Sequence, residues 1–315
     1  MRAGTTESAK WLALTLAVPA VLCSTIVGGQ TGDAGDVARA LAGSIDVHVH
    51  SLPDDRPRSI DAVEVATLAA ARKMRAIVLK NHYESTAGVV YMVRKAVPGI
   101  EVFGGIDLNL TVGGINPAAV EHMTRVTGGW GRVVWMPTFD AENQVRSSKE
   151  NRPFVSVSSK GELLPAVKEV VGLIARHGLV LATGHSSPAE GLMLLQEGRR
   201  QGVQRMLVTH AMNAPVLMSV AEMQEAAKLG AFIEFVGGSL ATTDAPARMD
   251  RFADAIRRIG PEHCILSSDL GQQGNALPPD GFGAFLMAMR ARGFTEADVA
   301  RMSKQNPARL LNLEP

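Results

Sequence analysis

Eight times between residues 45 and 270 the chain passes through a short run of β-branched and apolar residues and then into an amphipathic segment. The runs are IDVHVH (45–50), AIVLKNH (76–82), EVFGGIDL (101–108), RVVWMPT (132–138), LVLATGH (179–185), RMLVTH (205–210), AFIEFVGG (231–238) and CILSSDL (264–270). They are almost continuously apolar, the pattern of parallel strands covered on both faces. The segments between them read as helices. SIDAVEVATLAAARK offers Ser59 as an N-cap, while ELLPAVKEVVGLIARHG and AEMQEAAKLG end in the glycine stops Gly178 and Gly230. Parallel neighbours need a helical crossover, so the repeated unit predicts an α/β chain folded as a (β/α)8 TIM barrel over residues 45–315. An open doubly wound sheet is the alternative, but no GxGxxG follows the first run, which removes the usual nucleotide site of that fold. The longest aperiodic stretch, 138–160, reads as a polar loop over one face.

Charge and composition narrow the partners. With 32 basic and 31 acidic residues, a formal charge of +1 and 4% aromatics, the 315-residue chain has no electrostatic footprint for nucleic acid. Its apolar content of 46% against 20% charged excludes a disordered chain. Two cysteines, Cys23 and Cys264, provide neither a disulfide framework nor a cysteine-based zinc site. Residues 11–29 are apolar, follow Lys10 and end in small residues. Residues 1–29 therefore read as a cleaved signal peptide or an N-terminal anchor, with a buried first helix as the other reading and 30–44 as a lead-in. A periplasmic or secreted location is expected, a cytoplasmic one being the alternative, and this segment would give any transient membrane contact.

The polar residues fall at one end of the strands. His48 and His50 close the first run, two apart and so on one side of a strand. Lys80 and His82 repeat that spacing on the second; His185, His210 and Asp269 close the fifth, sixth and eighth. In a (β/α)8 barrel these carboxyl ends meet at one mouth, where active sites lie. Burying so many polar groups together costs several kcal/mol unless something pairs them. A divalent cation does so, since neutral imidazoles and a carboxylate suit zinc, manganese, iron or nickel. Glu234 is unusual within a buried strand and reads either as a group facing the mouth or as an ion-pair partner. Asp107, Asn109, Asn213 and Gln272 follow strand ends, where they either orient substrate or cap loops.

The DVHVH of the first strand, the TGHSS and THAMN strand ends, the SSD of the eighth and the closing QNPARLLNL together resemble the amidohydrolase superfamily, from Ser44 to Leu313. The resemblance implies that His48, His50 and Asp269 hold one metal and that His185 and His210 hold a second, giving one or two divalent ions per chain, zinc foremost. Members with two metals use a bridging anion on the fourth strand, where Val134, Trp135, Met136 and Pro137 supply none. Lys80 on the second strand is left with three readings: a bridging carboxylated lysine, a cation for an anionic substrate, or a structural ion pair.

The resemblance further implies a metal-dependent hydrolase that uses activated water on an amide, cyclic amide, lactone or ester of a small molecule, with Asp269 as acid–base. A metal-dependent decarboxylase and a di-iron oxidase on the same ligands are the alternatives. His82, Trp135 and Asn213 are expected to bind substrate. Trp135, Met136, Phe139 and Met212 hint at a partly apolar molecule, and few basic residues besides Lys80 and those of the 138–160 segment are evident in the pocket loops, which argues against a highly charged one. A homo-oligomer is expected.

Overall fold

The computed structural model describes residues 34–314. The expected signal peptide or anchor of residues 1–29 lies outside them. Among the described residues no helix is long and apolar enough to cross a membrane.

Strands β1 (Ile45–Val49), β2 (Ala76–Leu79), β3 (Glu101–Asp107), β4 (Gly131–Trp135), β5 (Val180–Ala182), β6 (Arg205–Val208), β7 (Phe232–Val236) and β8 (Cys264–Ser267) follow one another around a single parallel sheet. The ring closes between β8 and β1. There Asp269 N donates to His48 O and His50 N to Leu270 O, each at 2.9 Å. The eight expected runs each supply one strand, and the fold is the expected (β/α)8 barrel.

Alternation along the strands separates two apolar layers. Ile45, Val47, Val78, Phe103, Val133, Trp135, Leu207 and Ile265 fill the interior. Ile77, Leu79, Val102, Val134, Leu181, Ile233 and Leu266 face outward against the helices. The helix Asn306–Leu311 sends Leu310 and Leu311 into the interior cluster, while Asn306 Nδ2 donates to the carbonyls of Pro261 and Cys264, which ties this plug to the start of β8. The far end of the barrel is thereby stoppered with hydrocarbon, leaving the carboxyl ends as the open mouth.

Two local readings of the sequence are corrected. The helix after β1 spans Ala62–Ala71 and is capped by Asp61 in a capping box with Glu64, not by Ser59; Ser59 Oγ donates instead to Gly271 O. A side chain at Asp61 reaches the free N–H of Glu64, which one at Ser59 is too far back to do. The 138–160 stretch contains a short helix, Glu142–Ser147, and Ser158–Ser159 pair with Glu162–Leu163 as a small hairpin.

One irregularity aims the site. Ile45 pairs with Ala76 and Asp46 with Ile77, but the next partners are Val49 and Leu79, so β1 carries one residue more than β2 across this interval. Such a bulge resets the alternation. Ile45 and Val47 point into the barrel, whereas Val49 joins the outer layer. His48 and His50 therefore turn to the inside, where regular pleating from Ile45 would have pointed them at the helices. Asp46, fully buried, supports the seam by accepting from Ser268 N at 2.9 Å and His48 N at 3.2 Å.

Gly271, at φ +127°, lets the chain leave β8 directly against His50, where a Cβ would overlap the His50 carbonyl. Gly271→Ala is expected to cost about 1–3 kcal/mol, the usual scale of such backbone strain, read as a lowered thermal midpoint. An unchanged midpoint would show that the seam tolerates displacement of His50.

Candidate metal centre

His48 and His50 on the turned end of β1 and Asp269 just past β8 form a compact trio whose ligand atoms lie within 4.8 Å of one another. Asp269 Oδ1 stands 3.3 Å from His48 Nε2 and 3.0 Å from His50 Nε2. Asp269 takes a left-handed backbone conformation, φ +51°, and His210 lies at φ +27°. Side chains that hold such conformations need a surrounding structure that fixes them. Here the closing hydrogen bond from Asp269 N to His48 O contributes.

Behind the trio each imidazole is held by its Nδ1. His48 Nδ1 donates to Glu234 Oε1 at 3.2 Å and His50 Nδ1 to the Lys80 carbonyl at 2.7 Å. His185 Nδ1 donates to Gln144 Oε1 at 2.9 Å. An imidazole whose Nδ1 carries the proton and donates it to an oxygen presents an unprotonated Nε2, the form that ligates metal, and such outer partners fix the ring. Glu234 lies inside the barrel, and its second oxygen accepts from His210 N at 2.8 Å. Of its two sequence readings, the ion-pair one has its partner in His48; the side chain points into the barrel one layer below the pocket and does not line it.

His185 and His210 line the same pocket as the trio, with ring centroids 4.8 Å apart, and the His210 ring stacks 6.0 Å from that of His48. His210 Nδ1 is buried with no hydrogen-bond partner among the described residues. A buried nitrogen left unpaired is costly, and that orphan, with a carboxylate wedged between two Nε2 atoms, fits a site built for a cation.

Electrostatics agree with that fit. Burial holds the pKa of His50 down to about 3 and that of His210 to about 4, and keeps His82 and His185 well below the ordinary histidine value; nearby Lys80 adds to each effect. These rings are neutral at physiological pH, as ligands must be. His48 differs: burial opposes its charged form, but Asp269 and Glu234 outweigh that and raise its pKa. For Asp269, burial alone would favour the protonated acid. The charge of neighbouring His48, with His50 close behind it, overcomes this and holds the carboxyl far below its usual range.

Lys80 has a fully buried side chain, and its Nζ lies 3.2 Å from Asp107 Oδ2. Of the three roles weighed for it, the ion pair is the one whose partner is in place. A bridging carbamate would instead put a second anion against Asp107 in a dry interior. Burial raises the pKa of Asp107, with Lys80 opposing. His82 joins the same network, its Nδ1 donating to Thr138 Oγ1 at 2.9 Å, and Thr138 donates on to Asp107 at 3.0 Å. Asn109 Nδ2 donates to Thr138 Oγ1 and to the His82 carbonyl, so Asn109 braces His82 from within the loop.

The pocket over these groups has a volume of about 570 Å³, and His82 and Asn213, two of the three residues expected to bind substrate, are in its lining. Trp135 is not in its lining. It lies in the barrel interior with Lys80 Nζ 5.5 Å above its ring, because alternation on β4 points it in one layer below the mouth. Met136 is buried against the helices. Phe139, by contrast, lines the pocket and packs 4.2 Å from His82. Arg56 and Arg58, from the loop after β1, also line it, which corrects the expectation of few basic residues there. Their sequence context, a polar run with prolines, looks like any surface loop; only the fold-back over the mouth reveals them. Gln144 went unnoticed for the same reason.

The family model that matches the chain describes a family of unknown function (DUF6282) and spans residues 43–234. No curated protein matches the chain. Among solved structures, an amidohydrolase from Burkholderia multivorans with bound zinc is similar at 14% identity and a TM-score of 0.62, over 87% of this chain and 100% of that one. A probable dipeptidase, PvdM, from Pseudomonas aeruginosa is similar at 12% identity and a TM-score of 0.61, over 89% and 98%. A 2,6-dihydroxybenzoate decarboxylase gives 13% identity and a TM-score of 0.54, over 86% and 100%. At these identities the likeness is one of fold.

Glu234→Gln keeps a hydrogen-bonding side chain behind His48 but removes its charge. It is expected to weaken zinc binding about 10- to 100-fold with the fold retained, measured by competition against a chromogenic chelator. Unchanged affinity would separate Glu234 from the metal site.

Proposed function

The chain belongs to the DUF6282 family, of unknown function, and from the geometry of its barrel mouth we propose that it is a metal-dependent hydrolase acting on an amide, cyclic amide, lactone or ester of a small molecule. The observation that carries this reading is the set of imidazoles held from behind, with His48, His50 and Asp269 gathered at the base of an open pocket. His48, His50 and Asp269 hold one divalent ion; His185 and His210 are placed to hold a second, and zinc suits this nitrogen and oxygen donor set. When bound, such an ion supplies Lewis acidity and lowers the pKa of water toward about 7.

The chain's own groups do the rest. Asp269, ionised and partly open to the pocket, takes the proton of the attacking water and returns it to the leaving nitrogen or oxygen as the scissile bond breaks. Glu234 keeps the Nε2 face of His48 toward the pocket. The Lys80–Asp107 pair supports the wall beneath His82, with Lys80 uncarboxylated in this reading. Asn213 and His82 contact the substrate. The barrel acts on small molecules, works as a homo-oligomer, and is exported through its N-terminal segment.

The decarboxylase alternative uses the same pocket and predicts carbon dioxide rather than hydrolysis products. The test is a panel of esters, lactones and amides offered to zinc- and manganese-loaded protein. Turnover is expected, lost on chelation and restored by metal, and Asp269→Asn is expected to lower it by about 100- to 10,000-fold. Carbon dioxide release from carboxylated aromatics without hydrolysis would replace this reading, as would turnover indifferent to chelation.

A further inference from the structure

One lysine and two arginines line the pocket, and two of these three are already neutralised. Lys80 is paired with Asp107. Arg58 is buried and paired with Asp54, its Nε donating to Asp54 Oδ2 at 2.7 Å and its terminal nitrogen standing 2.6 Å from the same oxygen. Arg56 is different. No carboxylate of the described residues lies within ion-pair distance of it, although Asp55 is its neighbour in sequence.

Arg56 is nevertheless held in place. Its guanidinium lies over the Phe139 ring, 4.2 Å from the centroid, and 5.3 Å from that of Tyr83, and one terminal nitrogen donates to the Tyr83 hydroxyl at 2.7 Å. A guanidinium stacked on aromatic rings keeps its edge donors available, and those donors form a fork that matches a carboxylate. Phe139 in turn packs against His82 at 4.2 Å and His185 at 5.6 Å. One aromatic ring therefore separates the uncommitted guanidinium from the imidazoles at the pocket base. Asp269 is the carboxylate in the pocket lining, and it faces His48 and His50.

We infer that Arg56 is a specificity residue that recognises a carboxylate on the substrate, a short molecule's length from the scissile bond, with Phe139 and Tyr83 as the shelf that orients it. The substrate class is thereby narrowed to small carboxylic acids bearing the amide, lactone or ester. This inference rests on the mouth being a substrate pocket, as proposed above.

The test separates binding from turnover. The probes are 3-phenylpropionate and 3-phenylpropan-1-ol, neither of which can be hydrolysed, titrated calorimetrically into zinc-loaded wild-type protein, Arg56→Gln and Arg56→Lys. Wild type is expected to prefer the acid by about 10- to 100-fold, the scale of a charge-assisted pair. Arg56→Gln is expected to abolish the preference at unchanged zinc content, and Arg56→Lys to restore part of it. A preference that survives in Arg56→Gln would place the carboxylate on the metal and overturn the inference. So would equal binding of the two probes by wild type, or loss of zinc in the variant. Preference intact with no turnover of any ester, lactone or amide would sink the hydrolase reading alone; turnover without preference would sink the carboxylate subsite alone.

Discussion

The seam where β8 returns to β1 is the constraint on which the site depends. A barrel of eight parallel strands must close on itself, and here closure is made by a few backbone hydrogen bonds at the very level of His48, His50 and Asp269. Asp269 N to His48 O and His50 N to Leu270 O register two strands that are more than two hundred residues apart in sequence. The bulge in β1 turns His48 and His50 inward at the same height. Without the bulge the two imidazoles would face the helices; without the seam Asp269 would have no reason to stand between them.

The site gathers charge that a hydrophobic barrel would otherwise reject. Asp46, Asp107, Glu234 and the Lys80 side chain are fully buried in its wall, and burial lifts the pKa of Asp46 to about 7. Each of these groups is tied to the backbone or to a partner: Asp46 to Ser268 and His48, Glu234 to His48 and His210, Lys80 to Asp107. A buried charge tied down in this way serves as a rigid support, because moving it would expose the cost of its desolvation. The imidazoles carried on that support are neutral and uniformly presented, apart from His48, whose two carboxylate neighbours favour its charged form.

The strand–helix rhythm made the barrel legible in the sequence, because parallel strands buried on both faces write themselves as uninterrupted apolar runs. The cluster at the mouth was legible for a related reason: polar residues that end such runs gather at the carboxyl ends of the strands. His48, His50, His185, His210 and Asp269 were found that way. Trp135 was misplaced because one step of alternation separates a strand residue that reaches the mouth from one that fills the interior. Arg56 and Arg58 were invisible because they belong to a loop, and Gln144 because its six-residue helix is too short to show a period; the path of both segments over the mouth is set by tertiary contacts. Glu234 stood out as an oddity, yet its role required knowing that β7 places it behind His48.

The central claim is that imidazoles and a carboxylate from β1 and β8 share one cation. Anomalous diffraction from crystals of the zinc-loaded protein, recorded on either side of the zinc edge, addresses it directly. The account predicts an anomalous peak in contact with His48 Nε2, His50 Nε2 and Asp269. A fully loaded crystal with no peak there, or with zinc bound only by surface residues, would contradict it.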